Sequence, residues 1–391
     1  MGHKSKQDYF RAIYGRYHES SATEKSAILT EFCRVCGYNR KYAIRKLSRP
    51  PTDPGKSTRR KRAVHYSYRA LSIIHDVWRA CGYPCGVRLK AVLAGWLPWI
   101  RRQFTLSKDL EKEILSISSR QIDRRLKKKK CILKGRLYGR TRPGCLLKHS
   151  IPVKTDNWDV KVPGYSEIDT VSHCGANADG HFAYTVNDTD VHTTWTGSRA
   201  VLGKGEVGVV SALDEIGCDL PYKRLGLDSD NGSEFVNWHL VRYCKANNIQ
   251  PFRGRPYKKD DNAYIEQKNF THVRKLLGWD RYDTQEAVDA INDLYRNEWS
   301  WFMNLFMPSM KLASKERKGS RVIRRYDTPQ TPLERVRASK QKDSKKTAAY
   351  QKLKDKLNPF ELEKTINQKV RNIQKLASKS FPSKPSDSKA G

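Results

Sequence analysis

Apolar positions in the first 130 residues recur at helical rather than strand spacing. From Ala22 to Cys36, the side chains of Ile28, Leu29, Phe32 and Cys36 share one side of a helix; Cys36-Gly-Tyr38 interrupts the pattern, and a second periodic stretch runs from Arg40 to Leu47. The arrangement repeats as Leu71 to Cys81, then Cys81-Gly-Tyr83, then Val87 to Leu97, and Ser107 to Lys128 adds a third copy with Ser118 to Leu126 as its second helix. Glycine directly after a periodic segment is a helix stop, so each copy reads as helix, tight turn, helix, the plan of a helix-turn-helix unit.

Between residues 164 and 280 the period changes. Alternating or β-rich runs at Tyr165 to Val171, His181 to Val186 and His192 to Arg199 are separated by Gly, Asn and Asp turns. A helix over Glu206 to Ile216, a short strand ending near Asp228, a helix over Phe235 to Ala246, a strand over Ile249 to Arg253 and a helix over Ala263 to Leu277 follow. A meander leading into alternating helix and strand predicts a mixed α/β sheet with helices on its faces. Past residue 335 the chain is rich in Lys, Ser and Gln, and Leu353, Leu357, Leu362, Ile366 and Ile373 outline one amphipathic helix, expected to fold on DNA or on a partner subunit. The patterns divide the chain into a helix-turn-helix unit (1–50), a basic linker (51–65), further helix-turn-helix units (66–130), a second linker (131–163), the α/β core (164–300), a small C-terminal domain (301–335) and a basic tail, partly helical or disordered (336–391).

Charge sharpens this division. The chain of 391 residues carries a formal net charge of +35. Residues 1–150 hold 36 Lys/Arg against 10 Asp/Glu, whereas residues 151–280 hold 15 against 18. A near-neutral centre with basic flanks is the footprint of a polyanion binder whose flanks supply phosphate affinity. In the helical units Arg40, Lys41, Arg45, Lys46, Arg120, Gln121, Arg124 and Arg125 suit phosphates and guanine edges, with a merely solvated basic face as the alternative. Arg59, Arg60, Lys61 and Arg62 lie in a Pro- and Gly-containing linker able to follow a phosphate backbone. No apolar run approaches the roughly 20 residues of a membrane span, and the N-terminus lacks a signal-peptide core. Nine scattered cysteines read as reduced thiols, which places the protein in the cytoplasm.

Three carboxylates stand out in the core. Asp169 lies within an alternating strand, Asp230 in Asp-Asn-Gly at a strand end, and Glu266 about a turn inside a helix, with 35 residues between it and Asp230. Hard oxygen donors of this kind suit Mg²⁺ or Mn²⁺, and two such ions activate a hydroxyl on one side of a phosphodiester and stabilise the leaving oxygen on the other. Asp228, on the same strand face as Asp230, and Glu167, on the same face as Asp169, are rivals by the period of two.

The segment from Asp169 through Asp230-Asn-Gly to Glu266-Gln-Lys-Asn resembles the catalytic core of DDE transposases and retroviral-type integrases. Outside it, Glu31 to Arg45, Pro308 to Leu312 and Arg324 to Pro332 look like bacterial insertion-sequence transposases. The resemblance implies an RNase H-like core, metal binding by Asp169, Asp230 and Glu266 in preference to Asp228 and Glu167, and DNA contact along the Glu266 helix through Lys268, Asn269, Arg274 and Lys275. It further implies binding of the element's terminal repeats, 3′-end cleavage and strand transfer into double-stranded target DNA. The expected agent is a homodimer or higher oligomer in the bacterial cytoplasm at the nucleoid, with two Mg²⁺ (or Mn²⁺) per active site. Alternatives are a sequence-specific DNA-binding regulator with an inactive core and an RNA/DNA-hybrid nuclease.

Retroviral-type integrases carry an N-terminal His-His-Cys-Cys zinc module. Cys33 and Cys36 here lack a suitably placed His pair, even with Cys81 and Cys85 as further candidates, so no zinc is expected. Gly203 to Gly208 lacks the order of a phosphate-binding loop, so no nucleotide cofactor is expected. His173 and Cys174 follow Asp169 closely enough to line a metal site, although packed residues are the commoner outcome at such a position. Trp195, Trp238 and Trp279 read as core aromatics rather than base-stacking platforms.

Overall fold

The computed structural model describes residues 2–51, 66–137, 160, 162–229, 238–253, 263–318 and 321–378. They form two compact units, residues 1–65 and residues 66–391.

The first unit has three helices, α1 (His3–Glu19), α2 (Ala22–Cys36) and α3 (Arg40–Leu47). The last two coincide with the periodic stretches of the sequence. Ser21 and Glu24 form a capping box at the start of α2, and Gly37 at φ 64° ends it. Asn39 then caps α3 by accepting from the Lys41 N–H. Phe10 and Ile13 of α1 pack with Ile28, Leu29, Phe32, Cys36, Ala43 and Leu47, so α1 supplies the third wall of this core.

The second unit opens with α4 (Tyr68–Ala80), α5 (Gly86–Gly95), α6 (Leu97–Gln103), α7 (Lys108–Ser116) and α8 (Ser119–Leu137). Gly86 lets α5 and α8 approach closely: a Cβ there would stand 2.3 Å from the Ser119 carbonyl. The Asp123 carboxylate of α8 accepts from the Gly86 N–H at 2.9 Å.

Five strands follow, β1 (Tyr165–Ser172), β2 (Ala183–Asp190), β3 (Thr196–Leu202), β4 (Gly226–Ser229) and β5 (Gln250–Arg253), interleaved after β3 with α9 (Glu206–Asp219) and α10 (Trp238–Ala246). The sheet order is β3-β2-β1-β4-β5. β2 is antiparallel to β1 and β3, whereas β4 is parallel to β1 and β5. One face carries an apolar cluster: Ile168, Val186 and Leu227 pack on Val209, Ala212 and Leu213 of α9 and Cys244 of α10. The observed β2 and β3 begin and end later than the sequence runs, because the stretch from Asn187 to Asp190, which has turn composition, is buried strand.

The chain then forms a continuous helical rod of α11 (Ala263–Lys268), a π-helical segment (Asn269–Arg274) and α12 (Lys275–Leu277). Next come α13 (Gln285–Leu294) with π-helical turns to Phe306, a two-stranded hairpin of β6 (Leu312–Lys318) and β7 (Arg321–Tyr326), and α14 (Pro332–Ala338), α15 (Ser344–Lys356) and α16 (Pro359–Lys375). Strand β3 is a sheet edge, and it is closed by two carboxamides: Asn292 pairs with both backbone groups of Ala200, and Asn304 with both of Thr196.

A single hydrophobic cluster joins α4–α8 to α13, α14 and α16, and it crosses the positions 130, 300 and 335 where the sequence suggests boundaries. Trp96 is its hub, meeting Phe302, Phe306 and Phe360 edge-on. The tail expected to fold on a partner is instead folded on this core as two helices, with Phe360, Leu362, Ile366 and Ile373 buried. Asn358-Pro359 breaks the one helix expected there, since a proline fits the first turn and not the interior. Among the described residues no helix is long and apolar enough to cross a membrane.

Candidate functional site

The second face of the sheet is polar. Register aligns Asp169 with Asn187, Asn187 with Ser198, and Glu167 with Thr189 on one side and Asp228 on the other. Residues directly opposite share a face, so Glu167, Asp169 and Asp228 project toward the side where α11 lies on β1 and β2.

Asp169 and Glu167 grip that helix at two points. The Glu167 carboxylate, 5% exposed, accepts from the Ile265 N–H at 2.9 Å, satisfying a donor in the first turn of α11. One oxygen of Asp169 accepts from Asn269 Nδ2 at 2.5 Å, and the other from the Thr170 N–H at 2.7 Å. Asn269 Oδ1 accepts from Asn187 Nδ2 at 2.9 Å, and Asn187 Oδ1 from the Ser198 hydroxyl at 2.5 Å. Donors therefore run in one direction, Ser198 to Asn187 to Asn269, and end on the Asp169 carboxylate. Such a chain is cooperative and its last bond is charge-assisted.

The other two expected carboxylates are only partly in view. β4 ends at Ser229, paired with Ile168, and Asp230 lies outside the described residues. Glu266 is on α11 by its backbone, one residue after the N–H held by Glu167, while its side chain lies outside what is described. Among the described residues no three His, Cys, Asp or Glu side chains are grouped as metal ligands. The Asp169 carboxylate is a hard oxygen donor of the kind that suits a hard cation, whereas Asn269 meets it with Nδ2 and turns its oxygen to Asn187.

His173 lies beyond Asp169 along the same face of the sheet and is packed in the interior. It is wholly buried, its Nε2 lies 2.7 Å from Thr185 Oγ1, and burial pushes its imidazole down to about 3, so it is neutral. Cys174 is half-buried near Ser172 and the Gly175 carbonyl. Cys36 and Cys81 are buried at equivalent helix ends, and Cys85 is exposed.

The residues expected to touch DNA fare unequally. On α3, Arg40 is tied back to Thr30 and Ser26 of α2, and the Lys46 ammonium sits over the Phe10 and Tyr38 rings. Lys41 and Arg45 are exposed, as are Arg120, Arg124 and Arg125 on α8, with Gln121 half-buried. Arg59, Arg60, Lys61 and Arg62 lie outside the described residues.

Along the Glu266 helix, the Asn269 carboxamide is committed to Asp169 and Asn187 rather than to solvent. Lys268 is half-buried near the Thr194 carbonyl and His272, and burial pushes its ammonium down to about 7. Lys275 donates to the Gly82 carbonyl. Arg274 stacks 4.2 Å from the Trp279 ring centroid, and Trp279, expected in the core, is 56% exposed. Trp195 is buried as expected, and the Trp238 side chain lies outside what is described.

Sequence reasoning missed Glu167 as a helix cap and the Asn187–Ser198 relay. Their only signal is polar residues at strand-interior positions, which on composition alone reads as a turn.

No family model matches the chain. The HTLV-2 integrase catalytic core domain solved with magnesium matches over 38% of this chain and 92% of that one, at 16% identity and a TM-score of 0.29. The BIV integrase catalytic core matches over 44% and 91%, at 15% identity and a TM-score of 0.30. In sequence the chain is 34% identical over 334 residues to the uncharacterized protein y4rM of Sinorhizobium fredii, covering 85% of this chain and 95% of that protein. With that identity across nearly the whole of both proteins, the chain belongs to the family of Sinorhizobium fredii y4rM.

Proposed function

We propose that the chain is a metal-dependent polynucleotidyl transferase acting on DNA, of the DDE transposase type, with Asp169, Asp230 and Glu266 as its metal ligands. The observation that carries this reading is the clamp of Glu167 and Asp169 on α11. It keeps the Asp169 carboxylate and the helix that bears Glu266 on one face of β1, while the parallel neighbour β4 runs out one residue before Asp230.

A divalent metal bound there supplies an activated hydroxyl and charge neutralisation at the leaving 3′-oxygen. The protein residues have separate duties. Asn269 and the Thr170 N–H fix the orientation of Asp169, and Glu167 fixes the start of α11. Exposed Lys41, Arg45, Arg120, Arg124 and Arg125 supply phosphate contacts that hold the duplex. Binding of terminal repeats, strand transfer and assembly of two or more copies on DNA follow from joining two ends in one event.

The test uses full-length protein and a plasmid carrying the genomic DNA that flanks the coding region. Nicking and end-joining in Mg²⁺ should fall to background in Asp169→Asn, Asp230→Asn and Glu266→Gln, with duplex binding retained. Undiminished strand transfer by any of the three would overturn the assignment of that residue, and metal-independent binding without cleavage by the native chain would make it a DNA-binding regulator.

A further inference from the structure

The β6–β7 hairpin pairs with no other strand among the described residues. Residues 312–326 hold six Lys/Arg and one acid. Val322, Ile323 and Tyr326 are exposed at 42%, 37% and 54%, and Arg317 and Arg324 are exposed beside them. Register sets Lys315 directly opposite Arg324 and Arg317 opposite Val322, which gathers three cations on one face. Like charges directly opposite weaken a sheet, and a lone two-stranded hairpin is marginal in water. The root, by contrast, is fixed. The Asp327 carboxylate accepts from the Lys311 N–H at 2.7 Å and from the Arg335 guanidinium at 2.6 Å. Arg335 also donates to the Ser309 carbonyl at 3.0 Å, and the Lys311 ammonium to that of His192 at 2.9 Å.

A firmly rooted arm that gathers like charge is stabilised by a polyanion. We propose that this hairpin is a β-ribbon that lies along duplex DNA, with Lys315, Arg317 and Arg324 against phosphates. A two-stranded ribbon matches the width of the major groove. A second copy of the chain is the poorer occupant, because a net charge of +35 opposes it. The inference rests on the reading above that the substrate is DNA.

The experiment measures binding of the full chain to a labelled duplex of arbitrary sequence by fluorescence anisotropy, in EDTA and over a range of salt. The triple variant Lys315→Gln, Arg317→Gln, Arg324→Gln should bind more weakly and show a log K against log salt slope shallower by roughly 2 to 3, at ~0.9 for each phosphate left without its cation. The charge-keeping triple Lys315→Arg, Arg317→Lys, Arg324→Lys should retain both affinity and slope. An unchanged slope in the neutral triple overturns the proposal, and so does an equal weakening in the two triples, which would mark a folding defect. A change of molar mass in light scattering at unchanged slope overturns it in favour of an interface between copies. Because the readout needs neither metal nor Asp169, a chain that binds through the hairpin and cuts nothing refutes the transferase reading alone. A chain that cuts DNA while its slope ignores the hairpin refutes this inference alone.

Discussion

Asp169 illustrates how a single carboxylate is held in one orientation. Its two oxygens are held by one backbone N–H and one carboxamide, and that carboxamide is oriented by Asn187 and Ser198 in the neighbouring strands. Residues that orient a metal ligand typically contribute roughly 10- to 100-fold to metal affinity or activity, so if Asp169 is a ligand as proposed, Asn269→Ala should cut Mg²⁺-dependent cleavage by about that factor. The cleavage midpoint in a metal titration should move to higher Mg²⁺; an unmoved midpoint would leave Asn269 without a positioning role.

His173 gives a pH prediction. Its folded pKa, about 3, lies below the ordinary value of 6.5 because burial penalises the imidazolium. The unfolded chain therefore binds more protons between these values, so the contribution of His173 to stability is complete above about pH 6.5 and is lost as pH falls toward 3. Asp190 acts in the opposite sense: burial pushes its carboxyl up to about 6, so its contribution falls as pH rises from 3.8 to about 6. In urea melts between about pH 7 and pH 4, His173→Gln should flatten the acid-side fall in stability. An unaltered slope would show that His173 does not carry it.

At the scale of elements, Glu167 of β1 holds the start of α11. Glu167 is a helix cap, a role that needs an acceptor and not a charge, so Glu167→Gln should keep most cleavage activity while Glu167→Ala destabilises by ~1 kcal/mol, the usual cost of removing a cap. Abolished cleavage in Glu167→Gln, with folding intact, would make Glu167 a metal ligand after all. On the opposite face, Arg224 pairs with Asp188 and also donates to the Leu213 carbonyl at 2.8 Å and the Tyr243 hydroxyl at 3.0 Å, tying α9 and α10 to the sheet. Both partners of this ion pair are buried, and removing one leaves an uncompensated charge. Asp188→Ala should cost about 3–5 kcal/mol in chemical denaturation. These particulars also explain where the sequence was legible. Helices α2 and α3 were readable because apolar period, capping residues and a stop glycine agree. The ends of β2 were not, because Asn187, Asp188 and Asp190 look like a turn until Asn269, Arg224 and Thr193 are seen to satisfy them.

At the scale of the whole molecule, the buried residues of one cluster that runs from Tyr66 to Ile373 join segments that the local patterns divide. Helix α16 covers Trp96 with Phe360 and buries Leu362, Ile366 and Ile373. Ending the chain at Ser339 removes α15 and α16 and exposes this surface, and each large side chain uncovered costs on the order of 1.5–3 kcal/mol. The shortened chain should aggregate or unfold without cooperativity in calorimetry, whereas a chain of residues 66–391, which keeps its own core, should melt as sharply as the native unit. A cooperative melt from the shortened chain would show that α16 is dispensable.

The sequence by itself determined the paired helices before residue 130, the strand and helix alternation of the core and the basic flanks, because period, turn residues and charge are local properties. Only the tertiary structure decided that Glu167 caps a helix, that Asn269 serves Asp169 instead of facing solvent, and that the basic C-terminal helices complete the core. Each of those depends on interactions between residues tens to hundreds of positions apart, which no local pattern encodes.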